Sequence, residues 1–408
     1  MSQTTSQSIS QLMPQTKQQP VAVLSAARTP MGGMLGSLSS VSAPQLGATA
    51  IAKAVAKSGL DHRQIDEVLM GCVLSAGLGQ APARQAALTA GLQRSTACTT
   101  INKVCGSAMK AVMMACNALR AGQSKAIVAG GMESMSRAPY LMPQGRQGYR
   151  FGHAELLDHM QYDGLQDAYQ GGAMGNFAET CAKKYNFSRE DQDAYAIESL
   201  RRANLAIDSG WFKHEIAPVT VSSRRGETLV EIDEQPGNAR PEKIPQLKPA
   251  FAKGGTVTAA NASSISDGAA ALTLMLADEA KAQGLQPLAL IHGFDQTAQE
   301  PEWFTTAPVA AIHKTLERVG WTVDEVDLWE VNEAFAVVAM AAMQEIGIPH
   351  NKLNVHGGAC ALGHPIGASG SRILVTLIHA LQQHGGKKGV ASLCIGGGEA
   401  TAMAIEVV

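Results

Sequence analysis

Cys105 is a candidate nucleophile because of its position in the sequence. It lies in the segment Asn102-Lys-Val-Cys-Gly-Ser, just before residues 107–121, which are apolar almost all round and so predict a buried helix. A helix that starts at Cys105 would offer the thiol its positive dipole end and free N–H groups, which predicts a lowered thiol pKa. The alternative is a cysteine that only packs in the core, a role that suits Cys116 in the same helix.

His364 lies in a loop that is rich in glycine. Residues 357–370 contain five glycines, and Gly363 and Pro365 flank the histidine. Glycines let a backbone approach a ligand closely, so the imidazole is a candidate acid or base in a binding site. A phosphate-binding loop is the alternative, but the G-x-G-x-x-G spacing and the apolar strand that should precede it are both missing.

Two further segments carry reactive or polar groups at strand ends. Cys394 closes the apolar run Val390-Ala-Ser-Leu-Cys and is followed by glycines, including Gly396, whose N–H groups could hold an oxyanion. Asn332 and Glu333 stand at a predicted strand-to-helix junction, where the alternative to a site is helix capping.

The elements that must position these residues form an α/β protein. Of the 408 residues, 45% are hydrophobic and 17% are charged, and the net charge of −2 attracts neither nucleic acid nor an anionic membrane. The seven cysteines form no C-x-x-C pair, so we expect no disulfide framework, no metal and a reducing compartment. Residues 1–19 predict a disordered tail.

An internal repeat predicts two similar halves. Residues 50–70 align without gaps with residues 311–331, and each copy predicts a helix, a glycine stop and an apolar strand. Gly130-Gly-Met-Glu and Gly396-Gly-Gly-Glu form a second correspondence. Residues 179–254 hold 24 charged residues in 76, twelve of each sign, which predicts a solvated insert in the first half. In it, Ser188-Arg-Glu-Asp predicts a capped helix that runs toward Ser209.

Taken together, these segments resemble one family, the thiolases, from about Pro20 to the end of the chain. The motifs that carry the resemblance are Cys105-Gly-Ser, Gly130-Gly-Met-Glu-Ser-Met, Lys248-Pro-Ala-Phe, Gly255-Thr-Val-Thr-Ala-Ala-Asn-Ala-Ser, Asn332-Glu-Ala-Phe-Ala, Gly363-His-Pro and Cys394-Ile-Gly.

The resemblance implies a five-layered αβαβα fold, made of two duplicated α/β halves and an inserted loop domain. The expected boundaries are residues 20–136 and 265–286 for the N-terminal half, 137–264 for the insert that binds coenzyme A, and 287–408 for the C-terminal half.

The resemblance also implies the roles of the site residues. Cys105 would be the acylated nucleophile, His364 its activator and Cys394 the acid/base that makes the carbon nucleophile. One oxyanion hole would combine His364 with a water held by Asn332, and a second would combine the N–H groups of Cys105 and Gly396. The substrate-binding residues would be Ser263, Phe251, Met174 and Phe335, and some of Lys183, Lys184, Arg224 and Arg225 would meet phosphate.

The activity implied is the reversible condensation of two acetyl-CoA to acetoacetyl-CoA and coenzyme A, without a further cofactor. Asp163-Gly-Leu-Gln-Asp and Met174-Gly look like the short-chain branch, and the alternative is a broad-chain 3-ketoacyl-CoA thiolase of fatty-acid β-oxidation. A β-ketoacyl-carrier-protein synthase shares the fold, but its Cys-His-His or Cys-His-Asn set fits Cys394 and Asn332 poorly. A non-catalytic or nucleotide-binding α/β protein would leave two cysteines and a histidine in separate glycine-rich loops unexplained. We expect a cytoplasmic homotetramer, a dimer of dimers, with residues 137–142 in the intersubunit surface.

Overall fold

The computed structural model describes residues 19–224 and 226–408. The predicted disordered tail, residues 1–19, therefore lies outside the described residues except for Gln19. In the described part the strands are β1 Val21–Arg28, β2 Gly32–Gly33, β3 Glu67–Gly71, β4 Ala97–Ile101, β5 Ala126–Ser134, β6 Tyr140–Leu141, β7 Leu157–Asp158, β8 Val219–Ser223, β9 Gly226–Val230, β10 Ser266–Leu276, β11 Ala289–Ala298, β12 Leu328–Val331, β13 Lys388–Ile395 and β14 Glu399–Val407.

The helices of the same residues alternate with these strands, as an α/β fold requires. They are α1 Ala43–Lys57, α2 Pro82–Thr89, α3 Ser107–Arg120, α4 Met174–Tyr185, α5 Arg189–Asp208, α6 Glu234–Asn238, α7 Ala277–Ala282, α8 Ala307–Val319, α9 Ala336–Ile346, α10 Ala359–Leu362 and α11 Ser369–His384. None of the helices in the described ranges is both long enough and apolar enough to cross a bilayer.

One large sheet runs through both halves of the protein. Its strand order is β12-β13-β14-β11-β1-β10-β5-β3-β4, with β2 paired to β10. Within each half, one strand pairs in parallel (β3 with β5, and β12 with β13) and the next pairs antiparallel (β5 with β10, and β13 with β14). The halves join because residues 21–23 of β1 pair with residues 289–291 of β11.

The helices form three layers around the two halves of the sheet. The middle layer is α3 and α11, whose buried side chains share one core with strands of both halves. The outer layers are α1 and α2 on the first half and α8 and α9 on the second. This is the five-layered αβαβα arrangement of two similar halves, so the predicted fold class is confirmed.

The internal repeat is visible in the hydrogen bonds as well as in the strand order. Asp66 precedes β3 and accepts the N–H groups of residues 125–126 at 2.7 and 3.1 Å. Asp327 precedes β12 and accepts those of residues 387–388 at 2.8 and 2.9 Å. An aspartate at the equivalent position thus fixes the start of the parallel strand pair in each half, as the alignment of residues 50–70 with 311–331 predicts.

The second sequence correspondence is wrong. Gly130 lies inside β5 opposite Met70, whereas Ser392 of β13 lies opposite Val331, the repeat partner of Met70. The structural equivalent of Gly130 is therefore Ser392, and residues 396–398 form the turn between β13 and β14. Glycines inside a strand and glycines in a turn, which have different roles, produced the apparent match.

Residues 137–264 hold several short elements and two long helices. The strands pair as two small sheets, β6 with β7 and β8 with β9. Helix α5 has the predicted capping box, in which Ser188 Oγ accepts the N–H of Asp191, and it ends at Asp208 beside the predicted stop. Side chains of α4 and α5 pack in one core with α8 and α9, which seats this segment on the second half.

Candidate active site

The residues that the sequence singles out meet at one cavity of about 440 Å³. Seven of the predicted site residues line it: Cys105, Met174, Phe251, Ser263, Phe335, His364 and Gly396. They come from the turn before α3, the start of α4, three loops and the β13–β14 turn, so segments up to about 290 residues apart in the chain form one wall. Asn332 and Cys394 are buried next to residues of this wall and are not part of its lining.

Cys105 sits on a tight turn between β4 and α3. The helix begins at Ser107, not at Cys105, because Ser107 Oγ donates to Val104 O at 2.6 Å and accepts the N–H of Lys103 at 2.8 Å. Val104 has φ of +46°, a left-handed conformation that is costly for a β-branched residue, and the Asn102 side chain accepts its N–H at 2.9 Å. The turn therefore holds the thiol in a fixed, strained geometry.

The predicted lowering of the Cys105 pKa is wrong for the free protein. Burial raises the pKa of this thiol to about 11, although hydrogen bonds from the N–H of Gly396 and from its own N–H act in the opposite direction. The N-terminal end of α3 does not compensate, because the loss of water around a buried thiolate is the larger effect. Cys105 is thus a neutral thiol at rest and needs a base nearby.

Gly396 reaches Cys105 because two turns pack closely together. A Cβ atom on Gly106 would lie 2.3 Å from Ile395 Cδ1, so any other residue there would require the Ile395 side chain to move. An ion pair between Lys103 and Glu399 joins the same two turns at the protein surface. The N–H groups of Cys105 and Gly396 both point toward the thiol, which places two donors beside the sulfur, where they could hold the carbonyl oxygen of a bound thioester.

His364 is a neutral imidazole, since burial lowers its pKa to about 3. Its Nδ1 lies 2.5 Å from Ser369 Oγ, and that hydroxyl donates its own hydrogen to Pro365 O at 3.0 Å. Ser369 Oγ must therefore accept the Nδ1–H, which leaves Nε2 as a lone-pair acceptor. Nε2 has no hydrogen-bond partner among the described residues, so it is free to take a proton.

Asn332 lies beside the imidazole without a hydrogen bond to it, because its Nδ2 and His364 Nδ1 are both donors in this tautomer. Its Nδ2 lies 3.5 Å from His364 Nδ1, and its buried Oδ1 has no partner in the part of the chain that the structure describes. The neighbouring Glu333 is structural, since it accepts Tyr195 OH at 3.0 Å and Ser199 Oγ at 2.8 Å. Helix capping, the alternative role for these two residues, is wrong, because α9 begins at Ala336, three residues after Glu333.

Cys394 lies at the end of β13, next to the turn that carries Gly396. It is fully buried, and burial together with the nearby Cys105 thiol raises its pKa well above the ordinary value for a cysteine. The two thiols therefore influence each other electrostatically, and neither ionises alone at neutral pH. Each thiol therefore needs a neighbouring base, and the neutral imidazole of His364 lines the same cavity as Cys105.

The side walls of the cavity are apolar. The rings of Phe251 and Phe335 meet edge to face at 6.0 Å, and Met174 Sδ lies 3.4 Å from the position of a Cβ on Gly396. Ser263 is fixed by its Oγ, which donates to Ala334 O at 3.0 Å. A narrow apolar passage with few polar groups suits the pantetheine arm of a thioester.

A second cavity, of about 290 Å³, adjoins the first and contains two cations that the sequence did not single out. Arg240 and Lys243 line it, and Ala259 and Ser264 border both cavities. Of the basic residues predicted for phosphate, Lys184 lies over the Trp303 ring at 4.4 Å, and Arg225 lies outside the described residues. The mixed charge of residues 179–254 gave no signal that would separate Arg240 and Lys243 from their neighbours.

Comparisons with known proteins show the family of this chain. The thiolase N-terminal domain family matches residues 21–278, and the thiolase C-terminal domain family matches residues 285–407. Acetyl-CoA acetyltransferase 2 of Arabidopsis thaliana is 52% identical over 95% of this chain and 97% of its own length. The acetyl-CoA acetyltransferase of Chromobacterium violaceum is 49% identical over 95% of this chain and 99% of its own.

Solved structures show the same likeness. The crystal structure of the Bacillus anthracis acetyl-CoA acetyltransferase superposes with a TM-score of 0.94 at 40% identity, over 96% of this chain and all of that one. The Acat5 thiolase from Ascaris suum, crystallised with coenzyme A, superposes with a TM-score of 0.90 at 44% identity, over 95% of this chain and all of that one. With two thiolase domains that together span residues 21–407 and relatives that match over nearly their full length, this chain belongs to the thiolase family.

Proposed function

We propose that this protein condenses two acetyl-CoA into acetoacetyl-CoA and coenzyme A, and catalyses the reverse thiolysis, through an acyl-cysteine. The proposal rests on one observation. The Cys105 thiol, the free Nε2 of His364 and the Gly396 N–H lie in one cavity, with the Cys394 thiol beside it. Relatives named acetyl-CoA acetyltransferase and a neighbour that binds coenzyme A support the choice of substrate.

In the first half-reaction, His364 Nε2 takes the proton of Cys105. The thiolate attacks the carbonyl carbon of acetyl-CoA, and the N–H groups of Cys105 and Gly396 stabilise the oxyanion. The bond from that carbon to the coenzyme A sulfur then breaks, and His364 returns the proton to the leaving thiolate. The raised pKa of Cys105 suits this order, since the thiolate forms only when its base and its substrate are both in place.

In the second half-reaction, Cys394 supplies the carbon base. His364 takes the proton of Cys394, and the resulting thiolate removes a proton from the methyl carbon of a second acetyl-CoA. The imidazolium and a water held by Asn332 stabilise the enolate oxygen. The enolate carbon attacks the acetyl group on Cys105, the carbon–sulfur bond breaks, and Cys105 regains its proton from His364.

The direct test compares two thiolysis substrates. We expect kcat/KM for acetoacetyl-CoA to exceed that for a medium-chain 3-ketoacyl-CoA, and we expect acetyl-CoA alone to yield acetoacetyl-CoA. A preference for the medium-chain substrate would instead support a broad-chain 3-ketoacyl-CoA thiolase.

Removing either group that stabilises the enolate oxygen should slow turnover. We expect His364→Ala and Asn332→Ala each to lower kcat by at least about 10²-fold, the loss typical of one preorganised donor. Steady-state kinetics with acetoacetyl-CoA and coenzyme A measure this. An Asn332→Ala enzyme that keeps a near-native kcat would show that Asn332 only supports the fold.

The second cavity is proposed to hold the phosphates of coenzyme A. We expect the double substitution of Arg240 and Lys243 by alanine to raise KM for acetyl-CoA, because two cations at the passage are lost, and to flatten its dependence on salt. Lys184→Ala is the matched control, since Lys184 packs on Trp303 away from this cavity. An unchanged salt dependence in the double variant would place the phosphates elsewhere.

A homotetramer and a cytoplasmic location are parts of the same proposal. Tyr140 and Met142, in the segment predicted for the intersubunit surface, are 66% and 54% exposed, so both side chains are available to a second subunit. All seven cysteines are free thiols, which suits a reducing compartment. Sedimentation at micromolar concentration tests the tetramer, and a mass equal to one chain would contradict it. Cell fractionation tests the location, and recovery in an organelle fraction would contradict it.

A further inference from the structure

Glu133 is a buried carboxylate that the reaction scheme does not use. It lies inside β5, is fully buried, and has no cationic partner among the hydrogen bonds and ion pairs of the described residues. Burying an anion is costly unless it accepts strong hydrogen bonds, so its surroundings must explain why it is there.

Three backbone N–H groups surround this carboxylate. Oε2 accepts the N–H of Val73 at 3.0 Å and that of Gly367 at 2.9 Å, and Oε1 accepts the N–H of Leu74 at 3.1 Å. The three donors come from two separate segments, 60 and 234 residues away from Glu133 in the sequence. All three bonds require acceptor oxygens, which only the ionised carboxylate offers on both sides.

The segment of Gly367 carries two residues that line the catalytic cavity, His364 and Ile366, and the segment of residues 73–74 packs against it. Gly367 follows His364-Pro-Ile on the turn that carries the catalytic imidazole, and residues 73–74 extend from the end of β3. Val73, Leu74 and Ile366 pack in one small buried cluster, against which Cys105 also packs. The carboxylate therefore links the imidazole turn to the first half of the fold at a point next to the nucleophile.

At Gly367 the backbone of the turn lies in close contact with the Glu133 carboxylate. A Cβ atom at this position would lie 2.5 Å from Glu133 Oε2 and 2.9 Å from Met132 O. The turn could not approach the carboxylate with any other residue there, so the glycine and the carboxylate form one unit.

We propose that Glu133 is a positioning residue, whose ionised carboxylate holds the His364 turn in register with Cys105. This inference rests on the proposed function for its effect on turnover. It has a second consequence that does not depend on the reaction, because the negative charge of Glu133 also acts on the neighbouring thiol and raises the pKa of Cys105.

The carboxylate should also impose a pH dependence on the turn. Burial raises the pKa of Glu133 to about 7, and the three N–H donors act against that shift. The titratable groups packed around it are the thiols of Cys72 and Cys105 and, on the same turn as Gly367, His364; all three stay uncharged near pH 7. Below that pH the protonated carboxyl loses one of its acceptor sides, so kcat should fall with an apparent pKa near 7.

Glu133→Gln tests the proposal, with Cys72→Ala as its matched control. Cys72 Sγ touches the carboxylate at 3.9 Å, but its loss leaves the three backbone bonds in place. We expect Glu133→Gln to lower kcat about 10- to 100-fold with little change in KM, as a small displacement of a catalytic group does. The limb of the pH profile near 7 should disappear, and Cys105 should react faster with iodoacetamide at pH 8, because a negative charge has gone.

A second variant keeps the test decisive if Glu133→Gln does not fold. Gly367→Ala retains the charge but pushes the turn away from it, so kcat should fall while the pH dependence of Cys105 alkylation stays native. A folded Glu133→Gln enzyme with native kcat and native alkylation, or a Gly367→Ala enzyme with native kcat, would overturn the proposal. Absence of acetoacetyl-CoA thiolysis in the unmodified protein would instead contradict the proposed function, and the alkylation result would still stand.

Discussion

Cys105→Ala should abolish acyl transfer, with kcat lower by at least about 10³-fold, as the loss of a covalent nucleophile typically gives. The physical reason is that, among the described residues, no other thiol both lines the proposed catalytic cavity and receives the Gly396 N–H. Intact-protein mass after incubation with acetyl-CoA measures the covalent step directly. We expect one acetyl group on the native protein and none on the variant.

The matched control for this experiment is Cys98→Ala. Cys98 is also partly exposed, but it lies in β4 and donates to Thr96 O, away from the cavity. The control should acetylate and turn over like the native protein. An acetyl group that persists on the Cys105→Ala protein would move the nucleophile to another residue.

Cys394→Ala should separate the two half-reactions. Acetylation of Cys105 needs only His364 as a base, so the variant should still accept one acetyl group. Condensation needs a base against the methyl carbon, and its rate should fall by about 10²- to 10⁴-fold, the range for a positioned general base. Mass spectrometry follows acetylation, and the formation of acetoacetyl-CoA follows condensation.

Hydrogen exchange at the acetyl methyl group isolates the role of Cys394 further. The native protein should exchange deuterium from solvent into the methyl group of acetyl-CoA, and Cys394→Ala should not. Exchange at the native rate in the variant would show that Cys394 only packs beneath the turn, the usual role of a buried cysteine at a strand end.

The fold and the core of the site follow from the sequence because both depend on local patterns. A cysteine before an apolar helix, a histidine between Gly363 and Pro365, and a cysteine before Gly396 are visible as short motifs. The glycines have physical reasons: Gly363 has φ of +102°, and a Cβ there would lie 2.1 Å from Ser266 Oγ. Each of these requirements concerns one residue type at one position, so it can be recognised in the sequence.

The electrostatics of the site could not be predicted in this way. A helix N-terminus suggests an activated thiol at Cys105, yet burial by segments distant in the chain, such as the one that carries Gly396, reverses the sign of the pKa shift. The partners of Glu133 and the tautomer of His364 also depend on bonds between segments or on one hydroxyl, Ser369. No periodicity or spacing in the sequence predicts these partners or this tautomer.

The most direct test of the acyl-cysteine mechanism is a single turnover that starts from isolated acetyl-enzyme. Protein acetylated with labelled acetyl-CoA is freed of coenzyme A and then mixed with unlabelled acetyl-CoA. If Cys105 carries the acyl group between the two half-reactions, the label will appear in acetoacetyl-CoA, in the two carbons farthest from the thioester. Label that remains on the protein, or that appears in the two carbons next to the sulfur, would contradict the acyl-cysteine mechanism.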